Sequence, residues 1–119
     1  MAGRMTMRVL LVEDEPLIAM MLEDFLDALD KSHAGTADSV AAALPLVEAG
    51  GFDAAILDVN LRGGEKSFAI ADALAERNIP FVFATGGGGE EIAAGHRDRP
   101  RLAKPFTIDG VEKALSQLG

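Results

Sequence analysis

Residues 52–58 read Phe-Asp-Ala-Ala-Ile-Leu-Asp, and within them Ala54-Ala55-Ile56-Leu57 is almost unbroken in its apolar character. A strand buried on one face alternates apolar and polar side chains, whereas a short run without alternation suits a strand covered on both faces. Phe52 to Asp58 therefore reads as a central strand, and Asp58 stands at its carboxyl end. Working upstream, Arg8 to Val12 is a second run of leucine and β-branched residues, closing on Glu13-Asp14-Glu15. Pro16 follows, in a first helical turn where a missing N–H costs nothing. From there Ile18, Met21, Leu22, Phe25, Leu26 and Leu29 recur at three- and four-residue intervals, the spacing of an amphipathic helix. Ser32 to Ala37 is a weaker strand, after which Asp38 or Ser39 can cap a helix running to about Glu48. Pro45 inside that helix is expected to kink or break it, because it removes one hydrogen bond and crowds the carbonyl of Ala41.

Downstream, Leu61 to Glu65 is a glycine-bearing loop, Ser67 to Arg77 a helix and Phe81 to Thr85 an apolar strand. Gly86-Gly87-Gly88-Gly89 comes next, and Glu90 to Ala94 leaves room for a single helical turn. Arg101 to Ala103 is a short strand ending at Lys104-Pro105, and Thr107 can cap a last helix with Val111, Ala114, Leu115 and Leu118 facing inward. Strands alternating with helices imply right-handed βαβ units and a parallel sheet. The expected fold is α/β, a doubly wound five-stranded parallel sheet in the flavodoxin-like order 2-1-3-4-5, with the fourth helix shortened or missing. Residues 1–7 are expected to form a flexible leader and 8–119 one domain.

Composition narrows the function. A net charge of −8 argues against nucleic-acid binding, which needs clustered Lys and Arg. The chain has no cysteine, so disulfides and thiolate metal sites are excluded. No apolar run reaches transmembrane length, and a soluble cytoplasmic protein without membrane contact is expected. The four glycines are not followed by Gly-Lys-Ser or Gly-Lys-Thr, so they do not form a nucleotide-binding P-loop and read as a flexible loop. His33 and His96 are isolated and read as surface residues.

Ligands of doubly wound sheets bind beyond the carboxyl ends of the strands. The residues there are Glu13 and Asp14 after the first strand, Asp58 after the third, Thr85 at the end of the fourth and Lys104 after the fifth. Singly, each is an ordinary turn former, helix cap or surface residue; together they place three acids, a hydroxyl and an amine on one edge. Crowded carboxylates favour a hard cation, and a carboxylate can serve as nucleophile in phosphoryl transfer.

The strings Val12-Glu13-Asp14-Glu15, Leu57-Asp58-Val59-Asn60-Leu61, Ala84-Thr85-Gly86 and Lys104-Pro105-Phe106 resemble the signatures of response-regulator receiver domains, in order and in spacing. The resemblance implies a two-component signalling protein, not an enzyme, in which Asp58 accepts a phosphoryl group. It implies Mg²⁺ or Mn²⁺ held by Asp14, Asp58 and the backbone carbonyl of Asn60, with Glu13 acting directly or through a water. Lys104 then neutralises charge and precedes a cis bond to Pro105, and the Thr85 hydroxyl is the switch. The implied phosphodonor is a sensor histidine kinase or a histidine phosphotransfer protein, and the chain would act as a phosphate sink, a shuttle or a direct-binding regulator. Phe81-Val82-Phe83-Ala84-Thr85-Gly86 further resembles the Phe-Ala-Thr-Gly subgroup, often called FATGUY, whose members work with HWE or related kinases. Two departures stand out: Arg101 occupies the position where the family usually has an aromatic, and the subgroup's tyrosine is replaced by further glycine. The alternative is an aspartyl-phosphate hydrolase of small phosphoesters. Such hydrolases commonly carry a second Asp two residues after the nucleophile, and Asn60 stands there.

Overall fold

The computed structural model describes residues 6–85 and 99–118. Within them the elements run β1 (Arg8–Val12), α1 (Pro16–Ala28), β2 (Ser32–Ala37), α2 (Val40–Ala49), β3 (Ala54–Asp58), α3 (Phe68–Glu76), β4 (Phe81–Thr85), β5 (Arg101–Ala103) and α4 (Ile108–Ser116). All four strand pairings are parallel, in the order β2-β1-β3-β4-β5 expected from the sequence. The glycine run, Glu90 to Ala94, the fourth helix expected after β4, and His96 lie outside the described residues. So do residues 1–5 of the expected leader, whereas Met7 packs against the core and its carbonyl accepts from the Ser32 N–H at 2.8 Å.

Side chains on a strand alternate between faces, and here that alternation fills two cores. Leu10, Val12, Ala55, Leu57, Phe81 and Phe83 pack with Ala43 and Val47 of α2 and Ile70 and Leu74 of α3. Val9, Leu11, Ile56, Val82, Ala84 and Leu102 pack with Leu22 and Leu26 of α1 and Val111, Ala114 and Leu115 of α4. Every residue of β3 and β4 is buried, as the unalternating run at residues 54–57 required. Phe52, expected inside the strand, is buried just before it.

Of the kink or break expected at Pro45, the break does not occur: helix α2 runs through it from Val40 to Ala49. Proline removes a single N–H donor, and Ala43 and Val47 anchor the helix on either side of it in the core. The end of α2 is secured by a 3.1 Å bond from the Gly50 N–H to the Leu46 carbonyl. Of the two candidate caps it is Ser39 that acts, its hydroxyl accepting from the Ala42 N–H at 3.1 Å. Thr107 caps α4 as expected, accepting from the Gly110 N–H at 3.0 Å. The loop after β3 turns through a short 3-10 segment, Arg62–Gly64, in which Gly63 and Gly64 adopt φ of 76° and 80°, the left-handed region where glycine is unstrained.

Candidate functional site

The sheet register brings the strand ends level. Val12 lies opposite Leu57, Asp58 opposite Ala84, and Thr85 opposite Ala103. Glu13 and Lys104 follow directly on β1 and β5, so side chains far apart in the chain share one edge. The Glu13 N–H bonds to the Ala37 carbonyl at 2.9 Å and the Lys104 N–H to the Thr85 carbonyl at 3.1 Å, which extends the ladder up to the site.

Asp58 is only 4% exposed, and both carboxylate oxygens have donors. The Lys104 ammonium reaches Oδ2 at 2.9 Å, and the Asn60 backbone N–H donates to Oδ1 at 3.2 Å. Burial works against the Lys104 charge, but the hydrogen bond and the charge of Asp58, helped by Glu13 and Glu15, outweigh it and hold the ammonium pKa above its ordinary value.

Glu13 is as deeply buried, at 3% exposure, but is held differently. Its Oε2 accepts from the Glu15 N–H at 3.1 Å, while Oε1 is buried with no hydrogen-bond partner among the described residues. Burial and then the neighbouring Asp58 charge, with Asp14 adding to them, push its pKa up to about 7 against the pull of the Glu15 N–H and Lys104. Glu13, Asp14 and Asp58 each offer a carboxylate oxygen, and these oxygens lie within 4.8 Å of one another. An all-oxygen, acidic donor set suits Mg²⁺, and the unpartnered Oε1 of Glu13 is a buried acceptor that such an ion or its bound water would satisfy.

Thr85 ends β4, 4% exposed. Asn60 is present through its backbone, while its exposed side-chain oxygen accepts from the Lys66 ammonium. The Lys104–Pro105 bond is cis, as the resemblance implied. Arg101 pairs in register with Phe83 and is exposed. His33 is exposed as expected. Among the methionines of α1, Met20 is 58% exposed and Met21 is packed against the core.

Two residues of the loop after β3 were not singled out from the sequence. Lys66 engages Asn60, and Glu65 accepts at Oε1 from the Val40 N–H at 3.0 Å, bridging to the start of α2. Nothing in a polar glycine loop distinguishes such residues from solvated ones; the fold does, bringing Lys66 to Asn60 and Glu65 to the start of α2.

Comparison with known proteins agrees with the geometry. The family model described as the response regulator receiver domain matches residues 9–116. The chain is 65% identical to SdrG from Sphingomonas melonis Fr1, with a TM-score of 0.86 and 98% of each chain covered. It is equally identical to SdrG from Pseudomonas melonis Fr1 in its BeF3-activated conformation, at a TM-score of 0.82, covering 97% of this chain and 98% of that one. It is also 32% identical to the phyllosphere-induced regulator PhyR of Methylorubrum extorquens over 98% of its own length, and spans 45% of that protein.

Proposed function

The chain belongs to the response regulator receiver domain family, and from that premise we propose that it is a stand-alone receiver that accepts a phosphoryl group on Asp58. The observation that carries this is the setting of Asp58 itself: a buried carboxylate at the end of the central strand, 2.9 Å from the Lys104 ammonium and beside Glu13 and Asp14. The match to SdrG over nearly the full length of both chains supports the stand-alone reading.

An Asp58 oxygen attacks the phosphorus of a phosphohistidine, the P–N bond breaks and the imidazole leaves, giving an aspartyl phosphate. A loose phosphoryl transition state needs positioning and charge neutralisation more than covalent help. The Asn60 N–H and Lys104 fix the carboxylate, Lys104 moves its charge onto the incoming oxygens, and the Thr85 hydroxyl donates to one of them. Asp14, Asp58 and the Asn60 carbonyl would hold Mg²⁺ or Mn²⁺, with Glu13 directly or through a water, and the ion supplies charge neutralisation when bound. Asn60 offers a carboxamide where a hydrolase would place a second acid, which supports a signalling protein over an enzyme of small phosphoesters.

The donor is a sensor histidine kinase, in particular one of the HWE class, or a histidine phosphotransfer protein. The chain then acts in the cytoplasm as sink, shuttle or direct-binding regulator; no helix among the described residues is long and apolar enough to cross a membrane. Phosphotransfer profiling against purified histidine kinases with Mg²⁺ tests the reading. Transfer from at least one kinase is expected; no label from any kinase or from acetyl phosphate would overturn it.

A further inference from the structure

The loop that follows Asp58 is tied down at both ends. On the site side, the Asn60 N–H donates to Asp58 Oδ1 at 3.2 Å. Asn60 in turn bridges Lys66 in antiparallel fashion and is held by the Lys66 ammonium through its side-chain oxygen. The loop between them closes on itself: the Leu61 N–H bonds to the Glu65 carbonyl at 2.7 Å and the Gly64 N–H to the Leu61 carbonyl at 3.2 Å. Its base is fixed by a 3.1 Å bond from the Ser67 N–H to the Val59 carbonyl. Glu65 then leaves the loop and accepts from the Val40 N–H, the first residue of α2, at 3.0 Å. Ser39 already satisfies the Ala42 N–H, so the free donors of this helix start are shared between its own cap and a residue 25 positions away.

We propose that Glu65 is a positioning residue that couples the Asp58 site to the start of α2. The inference rests on Asp58 being the phosphoacceptor. A phosphoryl group on Asp58 changes what its oxygens offer the Asn60 N–H. Asn60 and Glu65 lie in one closed loop, so a displacement of Asn60 reaches the Glu65 carboxylate and through it the Val40 N–H. The coupling is reciprocal: loosening Glu65 from α2 also loosens the loop that sets the Asn60 backbone beside Asp58.

The test uses amide NMR spectra of the full chain with Mg²⁺ and beryllofluoride as the phosphoryl mimic. In the native protein the mimic shifts the amides of Asn60, Thr85 and Val40. In Glu65→Ala, Asn60 and Thr85 still shift, Val40 no longer follows, and Val40 hydrogen exchange in the free protein quickens by about threefold to tenfold, the worth of one hydrogen bond. Glu65→Gln keeps the acceptor oxygen and restores the Val40 response. The inference is overturned if Val40 stays still in the native protein while Asn60 and Thr85 shift, or if Val40 responds equally in Glu65→Ala. Absence of any shift at Asn60 and Thr85 would instead overturn the phosphoacceptor reading, and this inference with it.

Discussion

The ends of β1 and β3 carry carboxylates of nearly equal burial, with Glu13 3% and Asp58 4% exposed, but the two are held in opposite ways. Asp58 has a donor for each oxygen, one of them a cation at 2.9 Å. Glu13 has a donor for one oxygen and none among the described residues for the other, and its pKa is pushed up to about 7. A buried carboxylate whose two oxygens both have donors is fixed in place. A buried carboxylate left half-paired takes either a proton or a metal ion. On the function proposed above, the edge divides its labour: β3 would supply the attacking group, and β1 a position that would respond to a cation.

The largest expected effect comes from removing that cation. EDTA should abolish labelling from a phosphorylated kinase, and Asp14→Ala should weaken Mg²⁺ binding by about tenfold or more. Titration of intrinsic or competitive metal signals checks this, and an unchanged Mg²⁺ affinity in Asp14→Ala would break the assignment of the β1 end as the cation-responsive one.

Glu13 sharpens the comparison through pH. Its folded pKa of about 7 lies above the ordinary 4.5, so the folded state keeps a proton that the unfolded chain has lost. Stability from this group is full below about 4.5, falls as pH rises, and is gone once pH passes about 7. Urea unfolding of the metal-free protein should show Glu13→Gln gaining on the native chain across that window, by up to about 3 kcal/mol at its upper end. Saturating Mg²⁺ should shrink or reverse the gain, since the ion favours the charged form. A difference that is flat with pH would mean that Glu13 is not held protonated.

Lys104→Ala attacks the other side of the comparison. It leaves the buried Asp58 without its cation, and because Lys104 is partly open to water the expected loss is about 1–3 kcal/mol rather than that of a sealed pair. Chemical denaturation without metal reads it directly, and no loss would mean that the ion pair does not fix Asp58.

The way these carboxylates are held was only half legible in the sequence. The buried run at residues 54–57 placed β3 in the middle of the sheet, and the alternation of strands and helices gave the order of the others. Asp58, Glu13, Asp14, Thr85 and Lys104 could be assigned to one edge because parallel strands point their carboxyl ends the same way. How each carboxylate is held could not be read, since it depends on a lysine 46 residues from Asp58 reaching one carboxylate and not the other. The break expected at Pro45 does not occur for a related reason: local rules count the lost hydrogen bond, but the packing of Ala43 and Val47 decides whether the helix continues. Glu65 was invisible because its partner, Val40, meets it only in the folded protein.

The central claim is that Asp58 and no other side chain takes the phosphoryl group. Transfer of labelled phosphate from an autophosphorylated histidine kinase, in Mg²⁺, to the native chain, to Asp58→Asn and to Glu13→Gln tests it most directly. The native chain should acquire a label that hydroxylamine removes, as expected of an acyl phosphate. Asp58→Asn should acquire none, and Glu13→Gln should still be labelled, although more slowly. Undiminished labelling of Asp58→Asn, or a label that resists hydroxylamine, would contradict the account.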